Sequence, residues 1–229
     1  GGIACRAISL LRQPLRPETV VIFGMHMAPR HKPCIMTGDE IDTPFGPLPV
    51  DTRLAEALTR EFSFEIETVR VFSPDNTIEL QLPFIKYFFP EAAIVPVGIP
   101  PAPAAEAIGR FTAEAAARLE IPINVLGSTD LTHYGPNFGL TPYGTGSEAH
   151  ERVRREDDRR IIDQMLAMEP AEVIKEALNR HNACCAGAAA AALAAGKALG
   201  AKEARLTEYA TSYDKSPGDS FVGYTGIVF

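Results

Sequence analysis

The sequence predicts an α/β protein: a three-layer αβα sandwich with a mostly parallel sheet and an antiparallel strand pair at its C-terminal end. Three observations carry this expectation. Short β-rich apolar runs alternate with longer segments of helical period. The first such run, Thr19–Gly24 (TVVIFG), is apolar throughout, as suits a strand covered on both faces. The C-terminal segment instead alternates over Arg205–Tyr213, turns at Ser216-Pro217-Gly218-Asp219 and returns as Phe221–Phe229, the pattern of a hairpin.

The elements follow in order. Ile3 to Leu11 carries apolar residues at helical spacing, and Thr19–Gly24 is the first strand. From His26 to Pro49 the chain is dense in Pro, Gly and Asp, which predicts a long loop with a short strand at Cys34–Thr37. Asp51 caps a helix to about Phe62, and Glu65–Phe72 alternates as a strand. Asp75 or Asn76 caps the next helix, with Glu79 three residues after Asn76 in a capping-box arrangement and Pro83 kinking the helix. Ala93–Ile99 is a strand, Pro103–Leu119 an alanine-rich helix and Ile123–Gly127 another strand, which runs into Ser128-Thr129-Asp130-Leu131-Thr132-His133-Tyr134-Gly135. Ser147–Met168 is a long charged helix and Pro170–Arg180 a shorter one; Asn182 caps a final helix reaching about Leu199. No repeat, low-complexity linker or break in composition divides the chain, so 1–229 is expected to be a single domain.

Composition excludes several functions. Hydrophobic content of 46% and charged content of 22% are ordinary for a soluble globular protein. No apolar run approaches the ~20 residues that span a bilayer, and no signal-peptide pattern is present. A net charge of −7 without a basic stripe argues against nucleic acid, and nothing suggests a membrane partner. Four cysteines, two of them adjacent, do not make a disulfide framework, so a reducing, cytoplasmic setting is expected.

The residues able to do chemistry cluster near strand ends and one helix start. Cys184 and Cys185 fall in the first turn expected after Asn182, where the helix dipole favours a thiolate that could act as nucleophile or metal ligand. Both could equally be small apolar fillers. In an open α/β sheet, ligands collect beyond the carboxyl ends of the strands. His26 lies just past one such end and His133 past another, with Asp130 three residues before it. Imidazole and thiolate together suit zinc, copper or iron. A cysteine nucleophile with His133 or His181 as base and Asp130 as orienter fits the same spacing. Glu79 is either a capping partner or a carboxylate facing the cleft. His31, His150 and the Glu148–Arg160 charge run are expected to be solvated, and Tyr213, Asp214 and Asp219 to form a surface turn rather than a lid.

Four separated motifs then add up to a resemblance. They are Ser128–Gly135; Ile78-Glu79-Leu80-Gln81-Leu82-Pro83-Phe84; His181-Asn182 followed by Cys185; and Tyr213-Asp214-Lys215-Ser216 leading to Gly223-Tyr224. Together they resemble the Memo family, whose prokaryotic members are called AmmeMemoRadiSam system protein B, over essentially the whole chain. The resemblance implies a fold similar to the LigB-like catalytic subunit of class III extradiol dioxygenases, with an iron or copper ion held by two histidines and one cysteine. Carried over residue by residue, it makes His26 and Cys185 metal ligands and places His133, Asp130 and Glu79 as the catalytic side chains of the cleft.

Three departures accompany the match. The family's other histidine ligand belongs to a Pro-His-Ala-Gly segment that, with an N-terminal strand, would precede Gly1. The loop after Gly24 is shorter than the family's. Where the family often has Glu-His-Ser, this chain has Asp75-Asn76-Thr77, so a titratable histidine is replaced by an amide.

The function expected from the resemblance is an O₂-dependent, non-heme-metal oxidoreductase in which His133, oriented by Asp130, moves protons. A thiolate ligand is softer than a carboxylate and favours copper or a redox role over ordinary ring cleavage. Two other functions stand beside it: a non-catalytic binding module that holds a peptide or small molecule, and a cysteine-dependent hydrolase. The partners expected are a small-molecule or peptide ligand in the cleft and, from the family's name, a functional link to a radical-SAM protein.

Overall fold

The structure, a computed structural model, describes residues 1–12, 16–68 and 70–229. Helix α1 (Gly2–Leu10) leads to β1 (Thr19–Gly24), every residue of which is buried. Strand β2 (Cys34–Met36) follows, and the expected loop also contains a short antiparallel pair, β3 (Glu40–Ile41) and β4 (Leu48–Pro49). Asp51 caps α2 (Thr52–Glu61) by accepting the N–H groups of Arg53 and Leu54. Strand β5 (Glu65–Glu67) is shorter than the alternation suggested, because Thr68 and Val71 exchange backbone hydrogen bonds and turn the chain back; position 69 of that stretch lies outside the described residues.

The helix expected to kink at Pro83 is two helices, α3 (Asn76–Glu79) and α4 (Leu82–Phe88). Pro83 sits in the first turn of α4, where a missing N–H costs nothing, so it starts a helix instead of bending one. Asp75, not Asn76, caps α3 by accepting Thr77 N–H, which leaves Glu79 out of register for a capping box. Next come β6 (Ala93–Gly98), α5 (Ala104–Arg118), β7 (Ile123–Gly127) and β8 (His133–Tyr134). The long charged helix is α6 (Ser147–Arg152) and α7 (Asp158–Leu166), joined by a π-turn over Val153–Asp157. Helices α8 (Pro170–Arg180) and α9 (Ala186–Ala198) and strands β9 (Arg205–Thr211) and β10 (Phe221–Val228) complete the chain.

The central sheet has the order β5-β2-β6-β1-β7. Strand β1 runs parallel to β6 and β7, and β2 parallel to β5, while β2 meets β6 antiparallel, so the sheet is mixed but mostly parallel. The terminal hairpin does not extend this sheet. With β8 it forms a separate antiparallel sheet in the order β8-β10-β9.

One face of the central sheet buries Val21, Phe23, Val95 and Val97 against α2, α5 and α9; the other buries Val20, Ile22 and Ile94 with residues of α1 and α4. These are the three layers. The alanine run is explained here, since Ala186–Gly196 is buried throughout, packed against α5, α8 and the sheet. Close approach requires small residues: a Cβ on Gly109 of α5 would lie 2.1 Å from the carbonyl oxygen of Ala191 in α9. The parallel strands β1, β6 and β7 end side by side at Gly24, Gly98 and Gly127, and the N-terminus of α9 abuts the carbonyls of Ile99 and Pro100 just beyond β6.

Candidate metal centre

At this edge three chain segments meet. The first follows β1. Met25 adopts a left-handed conformation (φ 76°) and its N–H donates to Thr77 Oγ1 at 2.7 Å, which turns His26 out of the core. His26 is then held twice by one carboxylate: its backbone N–H donates to Asp75 Oδ2 at 3.0 Å, and its Nδ1 lies 2.9 Å from the same oxygen. Nε2 is left as the ring's available ligand atom. Burial pushes the Asp75 carboxyl up, but hydrogen bonds from Thr77 and His26 outweigh it and hold the group below its ordinary range.

The second segment is the loop after β7. Thr129 Oγ1 accepts Cys185 N–H at 3.0 Å and donates to the Asp130 carbonyl at 2.8 Å, while that carbonyl accepts Cys184 N–H at 3.2 Å. The loop is thereby fastened to the turn that carries both cysteines. Farther along, Thr132 N–H donates to Asp158 Oδ1 at 3.0 Å, and Asp158 Oδ2 accepts the Tyr209 hydroxyl at 2.7 Å. Asp158 thus fixes the stretch between Asp130 and His133. His133 Nε2 lies 3.4 Å from Asp130 Oδ2 without hydrogen-bond geometry, and this buried nitrogen has no hydrogen-bond partner among the described residues.

The third segment is the turn before α9. Asn182 is fully buried and does not cap that helix; its Nδ2 donates to the Asp157 carbonyl at 2.9 Å, tying the turn to the π-turn. The N-cap is Cys185, so the cysteines precede the first helical turn instead of occupying it. His181 ends α8 in a left-handed conformation (φ 56°). Cys185 Sγ sits 3.5 Å from Cys184 Sγ, within hydrogen-bond reach, and the Asp130 N–H points at Cys184 Sγ from 3.3 Å.

Two donor groups share one sulfur. Ligand atoms of His26, Cys184 and Cys185 lie within 4.8 Å of one another, as do those of Asp130, His133 and Cys184. The electrostatics follow from this crowding. Hydrogen bonds from Cys185, together with His133 and His26, drive the Cys184 thiol far below its usual range against the opposing effect of burial. The hydrogen bond to that sulfur, followed by burial, pushes the Cys185 thiol up. Cys184 beside it lifts His26 to about 9. Asp130 first, and Cys184 second, lift His133 to about 9. A sulfur flanked by two imidazoles and a carboxylate fits a metal ion by donor type, and His133 Nε2 is a buried ring nitrogen lacking a partner among the described residues.

Of the residues singled out from the sequence, His26, Asp130, His133 and Cys185 are brought together here. Glu79 is not: it is exposed at the end of α3 and makes no hydrogen bond among the described residues. Asn76 is likewise exposed, and His31 is exposed and accepts a local N–H from Ala28. His150, expected in solvent, is buried, stacked on Tyr213 at 4.2 Å and 3.0 Å from Thr211 Oγ1. Its helix faces the second sheet at that point, which the charged neighbours concealed. The charge run is also not solvated throughout, since Asp157 and Asp158 are buried. Cys184 as the shared sulfur, and Asp75 as the anchor of His26, were not assigned from the sequence.

A cavity of ≈ 500 Å³ opens onto Cys184 and His133. Among the described residues, no helix is long and apolar enough to cross a membrane.

The family model described as "Memo-like protein" matches residues 1–228. The chain belongs to the Memo family. It is similar to a MEMO1 family protein of Methanopyrus kandleri, 33% identical over 237 residues that cover 100% of this chain and 78% of that one. It is likewise similar to a MEMO1 family protein of Pyrococcus abyssi, 32% identical over 238 residues, with 100% and 81% covered. Among solved structures it resembles the crystal structure of an uncharacterized protein, JW3007, from Escherichia coli K12, with a TM-score of 0.54 and 16% identity over 96% of this chain and 91% of that one. That likeness supports the fold.

Proposed function

We propose that this Memo-family protein binds one redox metal ion, iron or copper, at the cysteine turn and acts as an O₂-dependent oxidoreductase on a small organic molecule. The observation that carries the proposal is the convergence of His26, Cys184 and Cys185 on one point, with Asp130 and His133 reaching the same Cys184 sulfur from the other side. His26 and Cys184 hold the ion. Cys185 stands behind Cys184 and tunes it through the S–H hydrogen bond. The bound metal supplies the electron-transfer chemistry that the side chains lack. His133 lines the cavity and takes or gives a proton at Nε2, and the Asp130 carboxylate 3.4 Å away favours its protonated form. Met27, Leu131 and Phe138 line the cavity and exclude water around the reacting atoms.

Elemental analysis of protein purified without chelator tests this, with Cys184→Ser and Cys185→Ser alongside. About one iron or copper per chain, lost in Cys184→Ser, is the expected result. Metal-free wild-type protein with its fold intact would sink the proposal.

A second reading is favoured by one observation, the Cys184 sulfur lying within 4.8 Å of ligand atoms of both His26 and His133, neighbours that favour its thiolate. That is also the arrangement of a cysteine nucleophile. A hydrolase would be alkylated stoichiometrically at Cys184 by iodoacetamide and would keep its activity in chelator; a metal enzyme would lose it.

A further inference from the structure

A second cavity, of ≈ 450 Å³, adjoins the metal cleft. Leu140 and His181 line both spaces, so the two meet across these side chains. Their chemistry differs. The cavity at Cys184 is mainly apolar, walled by Pro29, Pro101, Leu131 and Phe138. The second is lined by Arg152, Arg160 and Arg180 against Glu156 and Asp157. Three guanidiniums thus outnumber two carboxylates, in a chain whose net charge is −7.

The three arginines are not equivalent. Arg152 is committed: its Nε lies 3.4 Å from Glu156, and its guanidinium lies over the Tyr143 ring at 4.1 Å. Arg160 and Arg180 make no ion pair and no side-chain hydrogen bond among the described residues, although both line a concave surface. The Asp157 carboxylate faces them at longer range, and its Oδ1 accepts from the Tyr143 hydroxyl at 3.4 Å.

The backbone makes an independent case. The wall includes the π-turn Val153–Asp157, and π-turns inside α-helices are frequent at functional sites. Its last carbonyl, on Asp157, is the one that accepts from Asn182 in the cysteine turn. The arginine wall and the sulfur site are therefore fastened together at a fixed separation.

We infer that the ligand of this protein is an apolar organic acid whose carboxylate docks on Arg160 and Arg180 while its hydrocarbon body passes Leu140 and His181 into the cavity at Cys184. Guanidinium groups grip a carboxylate through paired N–H donors, and such charge-assisted bonds are about twice as strong as neutral ones. The apolar walls take the rest of the molecule and aim its far end at the metal site. This inference rests on the cleft being a ligand site.

Isothermal titration of the protein as purified with 3-phenylpropionate, beside its neutral analogue 3-phenylpropionamide, tests it. The acid is expected to bind at least about tenfold more tightly than the amide, a difference of about 1.4 kcal/mol. In Arg160→Gln/Arg180→Gln that preference should vanish with metal content and melting temperature unchanged. Arg155→Gln, on the same helical segment but outside the cavity, should retain it. Equal binding of acid and amide by the wild type, a preference that survives the double substitution, or no saturable binding of either compound would overturn the inference. So would binding of phenyl phosphate in place of the carboxylate. Metal content is read separately by elemental analysis, so the metal-site proposal and this one can fail independently.

Discussion

Asp158 offers the sharpest test of how the cysteine cleft is held open. The carboxylate is fully buried between α7 and β10, and a Cβ on Gly223 would lie 2.2 Å from its Oδ2. It accepts Thr132 N–H at 3.0 Å and the Tyr209 hydroxyl at 2.7 Å. Asp158→Ala removes both acceptors. Thr132 is itself buried, so its N–H is left without a partner at a cost of about 1–3 kcal/mol, and the half-buried Tyr209 hydroxyl adds about 1 kcal/mol. The total is about 3 kcal/mol, which for a chain of this length lowers the melting temperature on the order of 10 °C. Asp158→Asn keeps the Oδ1 acceptor for Thr132 and exchanges only the Tyr209 contact, so it should cost about 1 kcal/mol, or roughly 3 °C. Thermal unfolding followed by circular dichroism gives both values. The alanine variant should also release metal more readily, because the loop between Asp130 and His133 loses its anchor. If the alanine and asparagine variants melted together, or the alanine variant melted with the wild type, the ordering role given to Asp158 would be wrong.

Three further outcomes follow from the same packing. Asp75→Ala frees both the backbone and the ring of His26, and should weaken metal binding by about 10–100-fold in a competition assay while leaving Cys184 in place. Gly109→Ala drives a methyl into the Ala191 carbonyl, forces α5 and α9 apart and should cost about 3 kcal/mol in urea unfolding; a neutral result would mean that these helices are less tightly apposed. Burial holds His150 below its unfolded value of 6.5, so the unfolded chain binds more protons in that window. Stability is therefore present above pH 6.5 and falls as pH drops from there through the lower folded pKa. His150→Gln should flatten that slope in melting curves recorded across the window, and an unchanged slope would assign it to other groups.

The fold was legible in the sequence where a single physical effect dominates. Thr19–Gly24 is apolar without alternation because helices cover both its faces, and that signal is local. Pro170 and Asp51 mark their helix starts by chemistry alone. The separate second sheet was not legible. Two residues of β8 pair with β10 across a sequence separation of about ninety positions, and no local pattern announces so short a strand. The alanine run shows a related limit: its composition predicts a helix, but burial on all sides depends on Gly109 and Gly127 admitting it to the sheet.

The candidate site divides in the same way. Strand ends locate His26 and His133 because the rim of a parallel sheet is a topological fact. The roles of two adjacent cysteines cannot be read so directly, since neighbours in a non-helical turn send their side chains in different directions. Asn182 would have placed both sulfurs in a helical turn had it acted as the cap. Instead its side chain is drawn to the Asp157 carbonyl, the helix starts later, and the turn is set by Thr129 and Asp130 across the cleft. That long-range choice puts the Cys184 sulfur among His26, His133 and Asp130 and leaves Cys185 largely in the core, its sulfur 3.5 Å from that of Cys184. Which sulfur lies among His26, His133 and Asp130 therefore depends on a hydrogen bond made about twenty-five residues away in sequence. Substituting Asn182 should disturb the site even though that residue touches neither histidine.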